Sequence, residues 1–104
     1  MPSDIAANFV YATAQVLDGV LAFYFWLIIA AVIVSWVNAD PRNPIVRFLY
    51  ATTEPVLYQI RRLLPFVVMG GLDFSPLLLI LFVQFLRSFV VQSLIDVAHR
   101  MRFG

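Results

Sequence analysis

Two long apolar runs frame the chain. From Val20 to Val37 eighteen consecutive residues carry no charge, and as a helix they reach about 27 Å, close to the roughly 30 Å of bilayer hydrocarbon. This run predicts a first membrane span. Upstream, Ile5 to Leu17 is also compatible with a helix, and the polar residues Asn8, Gln15 and Asp18 fall near one face together with Tyr11. One long helix over about residues 5–37 is expected, with its first turns interfacial or packed on a partner. The second run, Leu77 to Ile95, has fourteen Leu, Ile, Val or Phe among nineteen residues and one charge, Arg87. Those fourteen favour insertion by about 4–8 kcal/mol, more than a single central arginine opposes. Ser75 followed by Pro76 reads as its start, an N-cap side chain and a first-turn proline that needs no donor, so the second span covers about residues 76–98.

Prolines divide the segment between the spans, residues 38–74. Because proline is tolerated in a first helical turn and stops a helix already running, Asn43-Pro44 is expected to open one short helix, Thr53-Glu54-Pro55 a second, and Pro65 to end it. In the second, Val56, Ile60, Leu63 and Leu64 share a face opposite Tyr58, Gln59, Arg61 and Arg62, the pattern of a helix lying in the headgroup plane. Gly70-Gly71 supplies a turn into the second span. Glu54 is within reach of Arg61 or Arg62, Asp73 and Ser75 are placed to cap the second span, and a loop arginine left over would meet an anionic lipid headgroup or an acidic partner. The fold class expected is therefore all-α: one membrane domain over residues 1–104, an antiparallel hairpin of two spans joined by two short amphipathic interfacial helices.

Composition agrees. Hydrophobic residues make up 62% of the chain and charged ones 12%, where soluble domains carry about a quarter charged. The Met-Pro-Ser-Asp start lacks the basic region of a signal peptide, so the first apolar run is expected to remain as an anchor. All seven basic residues are arginine and the net charge is +1, which argues against a nucleic-acid partner. Cysteine is absent, excluding disulfides, thiolate metal sites and a cysteine nucleophile. His99 is the only histidine and has no second ligand at helical spacing. No nucleophile elbow or phosphate loop occurs. No enzyme, cofactor or metal site is expected.

The chemistry that remains is a polar stripe on the second span. Gln84, Ser88, Gln92 and Asp96 recur at four-residue steps beside Arg87, and hydrogen-bonding side chains at membrane depth need a protein partner, water or a lipid phosphate. The plainest role is glue between helices. Asp18 is expected near Asp96, His99 and Arg100 at the far membrane face, where an ion pair is one outcome and simple solvation the other. Tyr11, Tyr24, Trp26, Trp36, Tyr50 and Tyr58 suit interfacial anchoring. Two functional classes follow: an accessory or assembly subunit that docks by the stripe onto other integral membrane subunits, or a homo-oligomeric channel that turns Arg87 to a shared lumen, with Gly19, Ala22, Ala30 and Ala31 allowing close approach.

The order Asn43-Pro44, Thr53-Glu54-Pro55-Val56-Leu57, Ile60-Arg61-Arg62, Pro65 and Gly70-Gly71-Leu72-Asp73-Phe74-Ser75-Pro76 resembles the signature of the YggT family, also called YlmG, over nearly the whole chain. Gln59 stands where that family commonly has proline, which lets the second loop helix run more regularly. The resemblance implies a multi-pass protein of the bacterial cytoplasmic membrane without known enzymatic activity. Plastid relatives are linked to assembly of cytochrome b haem sites, and bacterial ones to osmotic tolerance, division and envelope organisation. Four arginines in the loop against two in the C-terminal tail favour a cytoplasmic loop with both termini outside.

Overall fold

The computed structural model describes residues 2–103; Met1 and Gly104, the ends of the expected domain, lie outside the described residues. In chain order the elements are α1 (Pro2–Trp36), α2 (Pro44–Leu63), a 3₁₀ turn (Pro65–Val67), the strands β1 (Val68–Met69) and β2 (Leu72–Asp73), α3 (Ser75–Leu86), a π-helical turn (Arg87–Val91) and α4 (Gln92–Phe103). Two helical stretches, Asp4–Trp36 and Ser75–Arg102, are long and apolar enough to span a membrane. Little of either is buried inside the chain, unlike the core helix of a soluble protein. The fold is all-α as expected, with a minor strand pair.

The chain divides into two compact units, one made of the N-terminal part of α1 to Phe23 with the chain from Val83 onward, the other of Tyr24–Phe82. In the first, Asn8 meets Arg102 and Asp18 meets Arg87, so the two segments run antiparallel. Small residues line its interior: Ala7, Ala14 and Ala98 are buried beside Val83 and Val91, and such residues let backbones approach closely in lipid.

In the second unit the loop departs from the expectation of two short helices. A single helix runs from Pro44 to Leu63, straight through Pro55. Proline inside a helix has no N–H for the carbonyl four residues back and crowds the preceding turn. The hydroxyls of Thr52 and Thr53 donate to the Leu49 carbonyl at 3.0 and 2.8 Å, and the Tyr24 hydroxyl donates to the carbonyl of Thr52 at 3.1 Å. A side-chain donor from α1 thus serves the turn that proline disturbs. Val46, Leu49, Thr53 and Leu57 recur every three or four residues and are buried, which stabilises the docking by about 1.5–3 kcal/mol for each aliphatic side chain. Ile45, Phe48, Val56 and Leu63 form a neighbouring stripe that stays exposed. Val56 and Leu63, expected on the apolar face, belong to this outer stripe rather than the buried one.

Asn43 opens α2 as expected, its side chain accepting from the Ile45 amide at 2.8 Å, with Pro44 in the first turn. Leu64 ends the helix and Pro65 begins the 3₁₀ turn. Gly70 and Gly71 then reverse the chain with φ of +60° and +82°, linking Met69 to its partner Leu72. Both central residues at positive φ is the two-residue turn that matches strand twist. A Cβ on Gly71 would meet nothing within 4 Å, so Gly71→Ala adds only left-handed backbone strain, about 1–2 kcal/mol. The Phe74 amide donates to the Val67 carbonyl at 2.8 Å across this hairpin, and its hydrogen exchange is expected to quicken by roughly tenfold in that variant. Unchanged exchange would show that the turn does not hold the hairpin.

Candidate functional site

Each unit assembles one polar cluster. In the first, the Arg87 guanidinium reaches α1 rather than a partner or a lipid: its Nε donates to Asp18 Oδ1 at 2.8 Å and an Nη to Asp18 Oδ2 at 3.4 Å. This corrects the expected placement of Asp18 with Asp96, His99 and Arg100. The forked geometry suits arginine and carboxylate, and it cancels both charges at membrane depth.

Around the pair lies an open notch of about 800 Å³, lined by Tyr11, Gln15, Asp18 and Gly19 from α1 and by Gln84, Arg87, Ser88, Val91, Gln92 and Ile95 from the facing segment. Four of the five residues of the sequence stripe are brought together there. Asp96 does not line it. The π turn bears on this, because four residues of regular α-helix overshoot a full rotation by about 40° and a wider turn takes up that excess. Gln92 therefore stays with Gln84 and Arg87, while the stripe does not continue to Asp96. Gln15, Gln84, Ser88 and Gln92 are exposed and carry no hydrogen bond from their side chains among the described residues. Further along, Arg102 donates to the Asn8 side chain.

In the second unit Arg61 is clamped between two carboxylates. Its Nε donates to Asp73 Oδ2 at 2.8 Å and an Nη donates to Glu54 Oε1. Glu54 sits within α2 rather than at a helix start, and it still finds Arg61 two turns on. Asp73 also caps the second span: its Oδ1 accepts from the Ser75 amide at 2.9 Å and from the Ser75 hydroxyl at 2.7 Å. Ser75 is thus the first helical residue, with Pro76 behind it, and the capping oxygen belongs to Asp73. Partial burial alone would raise the Asp73 pKa, but the Ser75 and Arg61 hydrogen bonds outweigh it and hold the carboxyl below the usual carboxylate range. Hydrogen bonding to Glu54, ahead of that to Asp73, pushes Arg61 above its already high value. The clamp borders a cavity of about 180 Å³ whose lining includes Ile28, Ala31, Trp36, Tyr50 and Leu57. Arg61, named as a lipid or partner contact, is therefore held by the chain's own acids. Arg62 is exposed and makes no ion pair among the described residues.

A sequence profile described as CCB3/YggT matches residues 10–94, which include both clusters. The chain belongs to the CCB3/YggT family. Within it, the chain is 41% identical over 70 residues to a protein of Escherichia coli (strain K12) called uncharacterized protein YggT, a match covering 67% of this chain and 36% of that one. An uncharacterized protein of Haemophilus influenzae is 40% identical over 74 residues, 71% of this chain and 39% of its own. One of Pseudomonas aeruginosa is 35% identical over 74 residues, 71% of this chain and 36% of its own. This CCB3/YggT chain thus spans little more than a third of the length of the curated relatives it matches. No solved structure matches it.

Proposed function

We propose that the chain is a non-enzymatic accessory subunit that docks by its polar notch onto a larger integral membrane complex, which it stabilises or helps to assemble. The observation that carries this reading is the set of exposed side chains Gln15, Gln84, Ser88 and Gln92, without side-chain hydrogen bonds among the described residues, on helices otherwise suited to hydrocarbon. Polar groups facing lipid are costly, so such a face calls for a neighbour. The channel reading is weakened because Arg87, its proposed lumen charge, is matched by Asp18. On the family resemblance, a cytochrome-containing complex or the machinery of envelope organisation is the first place to look.

The membrane in this reading is the bacterial cytoplasmic one. The loop faces the cytoplasm, following its arginine excess, and α2 lies along the headgroups with Ile45, Phe48, Val56 and Leu63 toward the acyl chains and Arg62 near anionic phosphates. The test is purification of the tagged full chain from native membranes in a mild detergent. Stoichiometric recovery of the same integral membrane proteins is expected. Recovery of the chain alone, as a monomer, would refute the proposal.

A further inference from the structure

The notch restricts the chemistry of its occupant. It lies within the second span, its Arg87 twelve residues beyond Ser75, about 18 Å along a helix. The notch is also elongated along the helices, running from Tyr11 to Gly19 on one side and from Gln84 to Ile95 on the other, about 12 and 16 Å as helix. A shape two to three turns long between two antiparallel segments suits a third helix. At Gly19 there is no Cβ to hold a neighbour away, and the space beside it is open.

Charge narrows the partner further. Arg87 and Asp18 neutralise each other through two hydrogen bonds, so a charged partner would find no counter-ion and would still lose its hydration. The groups left over among the described residues are the amides of Gln15, Gln84 and Gln92 and the hydroxyls of Tyr11 and Ser88, each able both to donate and to accept. From these observations, and resting on the docking reading above, we infer that the notch seats one transmembrane helix of a different protein, bearing uncharged hydrogen-bonding side chains such as Gln, Asn, Ser or Thr at the depth of Arg87. A lysine or glutamate there is disfavoured. Two copies of this chain would oppose two concave surfaces and leave the amides apart, which is why the occupant is another protein's helix.

The test uses the full chain, labelled with a fluorescence donor, in phosphatidylcholine vesicles. Acceptor-labelled leucine helices of about 24 residues with one central Gln, Ser, Lys, Glu or Leu are added at a lipid excess where the peptides show no transfer among themselves. The Gln and Ser peptides are expected to associate more tightly than the all-leucine peptide by about threefold for each hydrogen bond formed. The Lys and Glu peptides should not exceed the all-leucine one. The near-isosteric Gln84→Met/Gln92→Met variant, altered at two exposed positions, should keep its fold by circular dichroism and lose most of the preference for Gln. Equal binding of all five peptides, a preference for Lys or Glu, or a Gln preference that survives the double substitution would overturn the inference. Transfer between two copies of the chain exceeding that to the Gln peptide would overturn it as well, by assigning the notch to self-association. Any of these results beside successful recovery of a native complex would sink the helix inference and leave the docking proposal standing.

Discussion

Replacing Asp18 by leucine is expected to destabilise the protein in detergent or lipid, and replacing Arg87 by leucine likewise, while the double replacement is at least as stable as the native chain. Each single change leaves the other charge at membrane depth without its partner, and an uncompensated charge in a poorly hydrated place is the costly state. The double change removes both charges and leaves two aliphatic groups, which lipid solvates well. Thermal unfolding of the four proteins gives the coupling directly as a double-mutant cycle. Strictly additive losses would mean that the two side chains, 2.8 Å apart here, do not support each other.

The second large effect is at the clamp. In Arg61→Leu the carboxylates of Glu54 and Asp73 lose their shared cation, and the link from α2 to the cap of α3 goes with it. Hydrogen bonds to charged groups contribute about 1.5–3 kcal/mol each when sheltered. These groups are partly exposed and screened, so a total loss of about 1–3 kcal/mol is expected. Arg61→Lys should recover only part of it, since an ammonium cannot fork to two acids as a guanidinium does. The amides of Leu72 to Ser75 report the change by hydrogen exchange, and native-like protection in Arg61→Leu would remove the clamp from the account. Acid should imitate the substitution. The Asp73 carboxyl has a lower pKa folded than unfolded, so its contribution is present above the unfolded value, about 3.9, and is lost as pH falls below that through the folded value. Loop protection is therefore expected to hold at neutral pH and to weaken only below about pH 4.

Much of this architecture was legible along the chain because lipid imposes simple rules. Uncharged runs of span length, the Asn43-Pro44 start, the Pro65 stop and the Gly70-Gly71 reversal are local signals, and each led to the right element. Pro55 misled, since local chemistry says that proline begins a helix or ends one. The turn before it receives a hydroxyl from Tyr24, twenty-eight residues from Thr52 in sequence, and the helix also docks by the buried Leu49, Thr53 and Leu57; no window of neighbouring residues contains that information. The polar cluster was half visible. Tyr11, Gln15 and Asp18 on the first helix and Gln84, Arg87, Ser88 and Gln92 on the second each stand out in the sequence as a polar face. Laying one against the other would have paired Asp18 with Arg87, but that needs the depth register of the two helices, which hydrophobic periodicity does not supply. In the loop, likewise, helical spacing leaves Glu54 between Arg61 and Arg62 and does not reveal that Arg61 holds both Glu54 and Asp73.

The widened turn at Arg87–Val91 holds one residue more than a regular helix needs. Straightening it into α-helix with every residue kept would turn all that follows by about 100°, so Gln92 would turn away from Gln84, and Arg102 would leave Asn8. Deleting a single residue there, Val90 for example, would instead let a uniform α-helix form with the old facing kept, and hydropathy would register almost nothing. The bulge houses a surplus residue at no loss of register, which is why Gln84 and Gln92, on either side of it, still address the same neighbour.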